Sequence, residues 1–362
     1  MADHNDRTSR DLSVAIITEM DPWSASTRYR ALQHLTRLRA RFANVELSLP
    51  ADTVERLPGR VGQLRYFGTH AQRYSERMRA LPSVIAGRDA VMVQRGLYVM
   101  GPGMITRSLE RFKGRVVVDL DDAVFRISPS LATKGPLAQW LYGPQQTLRL
   151  MQRADALVVS TEALADMLPA GLPQPTIIPT VPDPSAYSQV EHQPGGPVTV
   201  GWAGTVGGLG YLDALEPVFL RLQRENIARL RVVSSTPWHG PSEFHPWRLA
   251  DEHSLFAHFS IGIMPLPTSD YTRAKAGFKL LQYMAAGIPV VSSPLGVNRA
   301  LVEESGGGML AESPADWEEA LRLLAGDHEL RARLGARGRL FVERFADLDR
   351  QADMLETLFR GR

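Results

Sequence analysis

The feature that most constrains the fold of this chain is a repeated alternation of short β-branched runs with amphipathic stretches. Leu12–Thr18 has the sequence LSVAIIT, which predicts a buried strand, and apolar residues recur at helical spacing over Ser26–Phe42. Parallel strands need long crossovers, so this alternation predicts βαβ units and a parallel sheet. Further strands are predicted at 45–49, 89–94, 115–119, 155–160 and 176–178.

A proline- and glycine-rich stretch at residues 179–197 interrupts this pattern, and it has no periodicity. The alternation then restarts, with strands predicted at 198–203, 230–234, 261–266 and 289–293, a brief extended piece at 306–309, and helices filling the rest. We therefore predict an α/β protein of two doubly wound domains. The predicted boundaries are 1–183 for the first domain, 184–197 for the linker and 198–345 for the second domain.

Composition excludes several classes of protein. The chain has no cysteine, which excludes a disulfide framework, a thiolate metal site and a cysteine nucleophile. No apolar run approaches the ~20 residues of a membrane span, and the first eleven residues are polar, so a cytoplasmic protein is expected. Residues 1–190 carry 23 basic and 18 acidic side chains, an excess that points to an anionic partner for this half.

A glycine-rich loop follows the first predicted strand of the second domain. The sequence VTVGWAGTVGGLGY (198–211) contains Gly204, Gly207, Gly208 and Gly210 just before a predicted helix. Glycines allow close approach of the backbone to a phosphate, and a helix N-terminus offers free N–H groups. The pattern is neither a Walker A loop nor a dinucleotide fingerprint, and a plain turn that packs strand against helix is the alternative.

The stretch RAKAGFKLLQYMAAG (273–287) holds two of the only four lysines, Lys275 and Lys279. Arginine is the usual base in this chain, so lysine here suggests a need for a compact point charge. Their spacing of four residues places both ammonium groups on one side of a helix start, where they would hold a diphosphate. The alternative is an ordinary amphipathic helix with solvated lysines.

Three carboxylates end a strand of the first domain. Asp119, Asp121 and Asp122 lie in VVVDLDDAV (116–124), at the edge where a doubly wound sheet places its ligands. Crowded carboxylates can supply a general base, or bind hydroxyls or a cation. A helix-capping pair plus one salt bridge explains them equally well.

An arginine-rich segment covers residues 56–88. It is either a membrane-surface or polyanion-binding patch or, more simply, a solvated helix face. The nine histidines show no metal-ligand spacing, so no metal site is expected.

The stretch KAGFKLLQYMAAGIPVVSSPLGVN (275–298), with IGIMPLP (261–267) and GWAGT (201–205), resembles family 4 glycosyltransferases of the GT-B fold. STRYRALQHL near Ser26 and VVVDLDDAVF resemble the N-terminal domain of one branch of that family. The resemblance implies two doubly wound, Rossmann-like domains facing a central cleft. It implies retaining transfer from a nucleotide diphosphate sugar, held by the C-terminal domain, to a hydroxyl acceptor held by the N-terminal domain. It also implies that the last helix, within 346–362, returns to the first domain.

The resemblance also implies roles for individual residues. Donor binding falls to Gly204, Thr205 and Gly207 in the loop, to Gly277, Phe278 and Gln282 at the helix, and to the main chain around Pro265. Lys275 and Lys279 would stabilise the leaving diphosphate, and Asp121 or Asp122 would act on the acceptor side. Asp119, Arg95 and Arg28 are assigned to acceptor binding.

The sequence departs from the family at two positions. The family often has two glutamates separated by seven residues, and this chain has Ala274 and Gln282 there. The loop after Gly204 also lacks the usual arginine and lysine, so Lys275 and Lys279 would supply more of the charge.

The nucleotide sugar is a substrate, and neither a cofactor nor a metal is expected. The expected acceptor is a hydroxyl of a lipid carrier, a polysaccharide, a small molecule or another compound such as a nucleic acid, and 56–88 is the candidate for peripheral membrane contact. Two alternatives stay open: a nucleotide-sugar epimerase of the same fold, and a non-catalytic nucleotide- or polyanion-binding protein.

Overall fold

The chain forms two compact units. The first consists of Met1–Thr180 with Leu348–Arg362, and the second of Val181–Asp347. The structure, a computed structural model, describes residues 12–50, 72, 75–97, 106–127, 129–133, 135–136, 139–140, 143–195 and 198–362.

The first unit is built on a six-stranded, fully parallel sheet with the order β2-β1-β3-β4-β5-β6. The predicted strands of this half are all present. Near-continuous burial of β1, β3, β4 and β5 explains their Val- and Ile-rich sequences, because both faces of a parallel sheet are covered. The strands are β1 Ser13–Thr18, β2 Asn44–Ser48, β3 Ala90–Gln94, β4 Arg115–Leu120, β5 Ala156–Val159 and β6 Pro175–Ile177.

The helices of the first unit are shorter than the sequence predicts. The single helix expected over 26–42 is interrupted at Ala31, whose φ of −124° and ψ of −61° leave the helical region. Gln145–Arg153 form a regular nine-residue helix. The bounds are Ala25–Arg30, a 3₁₀ turn Leu32–His34, Leu35–Arg41, 75–85, Thr106–Glu110, Pro129–Ala132, Gln145–Arg153 and Glu162–Asp166.

The last helix, Leu348–Arg360, belongs to the first unit. Ala352, Leu355 and Phe359 are buried in the same core as the strands of the first sheet. Phe359 packs edge-on against Phe42, with 5.6 Å between the ring centroids. Burial of one apolar face therefore holds this helix on a sheet that ends more than 150 residues earlier in the chain.

The second unit is built on another six-stranded parallel sheet, with the order β12-β11-β10-β7-β8-β9. The predicted α/β class with two doubly wound units is confirmed. One strand, β9, was not predicted, because all four of its residues are exposed and give no apolar run. The strands are β7 Val198–Ala203, β8 Ala228–Ser234, β9 Glu243–Pro246, β10 Ile261–Met264, β11 Val290–Ser292 and β12 Gly308–Leu310.

Helices cover both faces of this sheet. Helical structure after β7 begins earlier than predicted, as a ten-residue 3₁₀ helix that contains three glycines of the glycine-rich loop. The α-helices are Glu216–Arg224, Asp270–Arg273, Phe278–Ala285, Val297–Ser305, Pro314–Gly326 and His328–Phe345, and the 3₁₀ segments are Pro184–Ala186, Val206–Leu215, Leu249–Asp251 and Leu255–His258.

The segment 184–193, which the sequence analysis assigns to a linker, packs within the second unit. Tyr187 is buried there, Val190 N–H donates to the carbonyl of Ala286, and His192 Nε2 lies 2.9 Å from the carbonyl oxygen of Gly287. The unit boundary therefore falls at 180–181, before most of the proline-rich stretch.

The arginine-rich segment 56–88 lies largely outside the described residues. Arg77, Arg79 and Arg88 are described. Arg79 is exposed and donates to Ser75 Oγ at 2.8 Å, whereas the other two are not solvated surface charges. Arg77 is buried and donates to the carbonyl of Thr18, and Arg88 pairs with Glu46. None of the described helices has both the length and the apolar character needed to cross a bilayer.

Candidate donor and acceptor sites

The strand order of the second sheet places two loops side by side. β7 is the first strand of this unit, and its neighbours β8 and β10 lie on opposite sides of it. The connection therefore reverses direction between β7 and β10, which makes a topological switch point. Ligands of open α/β sheets bind at the carboxyl ends of the strands at such a point. The segments that emerge there are 204–210 and 265–277.

The first of these segments approaches the helix that follows the second. A methyl group added to Gly204 would lie 2.5 Å from the Trp202 ring and 3.0 Å from Lys279 Cε, so only glycine fits without movement. The same addition at Gly207 would meet nothing within 4 Å. The loop therefore packs against the Trp202 indole at Gly204 but has free space around Gly207. The backbone of Gly207 is accessible to a ligand.

The helix Phe278–Ala285 begins at Gly277, which has a left-handed backbone with φ of +65°. A side chain at this position would be strained and would also meet Leu301 Cδ1 at 2.6 Å. The first turn carries no acidic residue, and no side chain caps it. A helix start of this kind favours an anion through its N–H groups and its positive dipole end.

The predicted helical i,i+4 pair of lysines does not form, because the helix begins only at Phe278, after the left-handed Gly277, and Lys275 precedes it. Lys275 and Lys279 nevertheless lie close enough for their charges to interact. Burial, and to a smaller extent the positive charge of Lys275, together lower the pKa of Lys279 to about 8. Among the residues that the structure describes, no carboxylate pairs with Lys279, whose Nζ lies 5.6 Å from the centroid of the Trp202 ring. Lys275 Nζ lies 3.3 Å from Tyr271 Oη. An anion that entered here would compensate two crowded positive charges.

A buried tyrosine fixes this helix to the end of β7. The hydroxyl oxygen of Tyr283 accepts the N–H of Ala203 at 3.0 Å, and burial raises the pKa of that hydroxyl. The ring packs where a side chain on Gly262 would collide with it, at 2.4 Å. Asn298 Nδ2 donates to Ser292 Oγ at 2.9 Å, which ties the next helix, Val297–Ser305, to the end of β11. The glycine loop and the lysine helix are therefore held in fixed register.

Two donor-site predictions fall on residues that already have partners. The amide of Gln282 is buried and donates to Tyr187 Oη at 2.9 Å. Pro265 is buried, and the N–H of the next residue, Leu266, donates to Ser293 Oγ at 2.9 Å. The main-chain donor nearest Pro265 is therefore occupied. Thr205 is the N-cap residue of the 3₁₀ helix Val206–Leu215. Its backbone is extended, and its side chain makes no capping hydrogen bond.

The first sheet has its own switch point, between β1 and β3, and charged side chains gather beside it. Asp121, just after β4, accepts hydrogen bonds from Ser26 Oγ and from Arg95 Nη1, the latter at 3.1 Å. Its main-chain carbonyl accepts from Ser160 Oγ at 3.0 Å. Asp121 is therefore held both through its carboxylate and through its main-chain carbonyl, while 12% of its side chain stays exposed.

Arg95 joins this carboxylate to a second one. Its Nε donates to Glu19 Oε2 at 3.3 Å, and Glu19 directly follows β1. Burial raises the pKa of Glu19, and the positive charge of Arg95 opposes that rise. Arg95 has φ of +64°, a conformation that is costly for a residue other than glycine and that concentrates at functional sites. The group can orient a hydroxyl and exchange a proton with it.

The other acceptor-side predictions fall on residues with structural partners. Asp119 is 1% exposed and forms a two-pronged ion pair with Arg30, which also donates to the carbonyl of Ile178. Arg28 donates to the carbonyl oxygens of Pro22 and Trp23. Asp119 and Arg28 therefore have structural partners and do not belong to the hydrogen-bonded group around Asp121.

Asp122 lies beside Asp121 but makes a local contact. Its Oδ1 accepts the N–H of Ala123 at 3.0 Å. Sequence reasoning assigned neither Glu19 nor Ser26 to the site. Ser26 lies in the first turn of the helix Ala25–Arg30, and its hydroxyl donates to Asp121. The position of Glu19 at the end of a predicted strand was the available signal.

The comparisons with known proteins agree with this architecture. Residues 220–327 match the family model described as Glycosyl transferases group 1. No curated protein sequence matches the chain.

Solved structures resemble the whole chain at low identity. Sucrose-phosphate synthase from Thermosynechococcus elongatus matches with a TM-score of 0.67 and 14% identity, over 98% of this chain and 100% of that one. WaaG, a glycosyltransferase involved in lipopolysaccharide biosynthesis, matches with a TM-score of 0.59 and 14% identity, over 96% and 100%. TarM matches with a TM-score of 0.59 and 13% identity over 79% of this chain, which spans only 58% of TarM. The chain has the GT-B fold, and together with the match over 220–327 this supports a group 1 glycosyltransferase.

Proposed function

We propose that the protein is a retaining, metal-independent glycosyltransferase of family 4. It transfers a sugar from a nucleotide diphosphate sugar to a hydroxyl acceptor. The observation on which the proposal depends is the pair of ammonium groups of Lys275 and Lys279 at an uncapped helix start, beside the glycine loop at the switch point of the second sheet. Cytoplasmic location and peripheral contact with a membrane remain expectations.

The second unit supplies the donor site. Breaking the bond from the sugar to the diphosphate builds negative charge on the leaving group, and fixed positive groups lower that barrier. Lys279, Lys275 and the N–H groups at the two helix starts provide such groups without a metal ion. The amide of Gln282 already donates to Tyr187 Oη, so the ribose hydroxyls are not assigned to it.

The first unit supplies the acceptor site. Asp121 is the carboxylate that orients the acceptor hydroxyl, since Ser26 and Arg95 hold it in one position and part of it is exposed. Glu19 is the group best suited to take up or release a proton, because burial raises its pKa. Asp122 accepts the N–H of Ala123, and Arg28 donates to main-chain carbonyls, so neither is assigned to the acceptor hydroxyl.

A thermal-shift panel of nucleoside diphosphates and nucleotide sugars tests the donor site. At least one of them is expected to raise the melting temperature, because a ligand at 100 times its Kd adds about 2.7 kcal/mol to the free energy of unfolding. The shift should persist in EDTA. Absence of any shift across the panel would contradict the proposed donor site.

Product analysis then separates transfer from epimerisation. With the bound nucleotide sugar and a set of hydroxyl acceptors, we expect a glycosylated product with the anomeric configuration of the donor. Conversion of the sugar alone, without an acceptor, would instead identify an epimerase. Inversion of configuration would contradict the retaining mechanism.

Nucleoside diphosphate binding is expected to weaken as the pH rises through about 8. The pKa of Lys279 is lowered to about 8, so its ammonium is present below this pH and is lost above it. If the anion binds only the charged form, Kd rises up to tenfold per pH unit above the pKa. Calorimetric titration from pH 7 to 9.5 measures this. Lys279→Arg is the control, since a guanidinium stays charged throughout and should give a flatter profile. Superimposable profiles would remove Lys279 from the anion site.

A further inference from the structure

Exposed apolar side chains lie on the same chain segments as the proposed acceptor residues of the first unit. Four large apolar residues of this unit are more than 40% exposed among those that the structure describes. Three of them, Met20 (41%), Trp23 (51%) and Ile127 (45%), lie in the segments that directly follow β1 and β4. Single exposed apolar residues are ordinary, but three on two adjoining segments at one sheet edge point to a binding surface.

The chain connects these residues directly to the polar group around Asp121. Met20 directly follows Glu19, whose carboxylate binds Arg95. The same segment ends at Ser26, which donates to Asp121 at the start of the segment that contains Ile127. Only β3 separates β1 from β4, so the two segments leave the sheet about 10 Å apart.

Backbone contacts give the segment after β1 a defined shape. Thr18 Oγ1 and Thr27 Oγ1 both donate to the carbonyl of Met20, at 2.9 and 2.8 Å. The N–H of Trp23 donates to Asp21 Oδ1 at 2.9 Å, and its carbonyl accepts from Arg28. The indole is thus presented to solvent from a constrained backbone, which lowers the entropic cost of using it as a contact surface.

From this arrangement we infer that the acceptor is amphiphilic. This inference rests on the proposed function. The polar end of the acceptor, which carries the hydroxyl, is assigned to Asp121, and its apolar part to Met20, Trp23 and Ile127. A wholly polar glycan would leave these three side chains in water and would gain nothing from the aliphatic ones. An apolar group linked to a sugar or polyol covers them and places its polar end at Asp121.

Pairs of glycosides that share one sugar and differ in the aglycone test this inference. Octyl and methyl glycosides of glucose, galactose and mannose are titrated below the critical micelle concentration, with saturation-transfer NMR as the readout. The wild type is expected to bind the octyl member on the order of tenfold more tightly for at least one sugar. Trp23→Ala and Ile127→Ser should reduce this preference to within about threefold. Equal affinity for octyl and methyl members in the wild type, as a polar glycan acceptor requires, would overturn the inference.

The control is Leu340→Ser, which removes an apolar side chain of similar exposure (55%) from the second unit. It should retain the octyl preference. Loss of that preference in this variant, or its retention in Trp23→Ala, would show non-specific binding and would also overturn the inference. All variants should melt as the wild type does, because exposed substitutions cost little stability. Nucleoside diphosphate shifts measured on the same proteins test the donor site separately, so failure of one site is distinguishable from failure of the other.

Discussion

Replacing Lys279 with methionine is expected to lower turnover by on the order of 10²-fold, the loss typical when one pre-organised group that stabilises a leaving anion is removed. Methionine keeps an aliphatic chain against Gly204 and Trp202, where the lysine side chain packs. Release of nucleoside diphosphate from the donor, followed under steady-state conditions with the acceptor identified by product analysis, measures the effect. The loss should appear in kcat, because charge on the diphosphate is greatest in the transition state.

Stability distinguishes this electrostatic role from a folding role. Burial lowers the pKa of Lys279, so the charged form is disfavoured in the fold, and removing the charge should leave the melting temperature equal or higher. Lys113→Met is the matched control, since Lys113 is an exposed lysine of the first unit. It should keep full activity. Turnover of Lys279→Met within about threefold of the wild type would remove this residue from the mechanism.

The strands were predictable because a parallel sheet buries both faces and therefore needs continuous apolar runs. β4, for example, is almost entirely buried and has the sequence RVVVDL. β9 lacks that signal, since a fully exposed edge strand needs no apolar side chains. The break at Ala31 was equally invisible, because apolar spacing continues across it and only tertiary packing turns the chain there.

The donor residues were easier to predict than the acceptor residues for a related reason. Lys275 and Lys279 are only four residues apart in the chain, so they lie near one another even though Lys275 precedes the helix that carries Lys279. Ser26 and Asp121 are 95 residues apart in the chain, and only the strand order makes them neighbours. Sequence spacing could not show which carboxylate of the acidic cluster stays partly exposed, because that depends on where Arg30 and Arg95 reach from elsewhere.

Replacing Asp119 with alanine is expected to cost about 3–5 kcal/mol of unfolding free energy in the first unit, because it strands the buried charge of Arg30. Both side chains are at most 3% exposed, and both oxygens of Asp119 bind the guanidinium. Urea unfolding followed by a probe in the first unit measures the loss. Asp349→Ala provides the comparison, since Asp349 is 71% exposed where it pairs with Arg37, and exposed pairs contribute about 1 kcal/mol or less.

A double variant identifies the source of that loss. Asp119→Leu combined with Arg30→Met replaces the ion pair by apolar groups, and buried pairs replaced in this way lose far less stability than pairs broken on one side. The double variant is therefore expected to be more stable than Asp119→Ala. If Asp119→Ala instead loses less than about 1 kcal/mol, Arg30 must reach solvent or another partner once its carboxylate is gone. The buried pair would then not be what holds the first helix of this unit against β4, on which the position of Ser26 beside Asp121 depends.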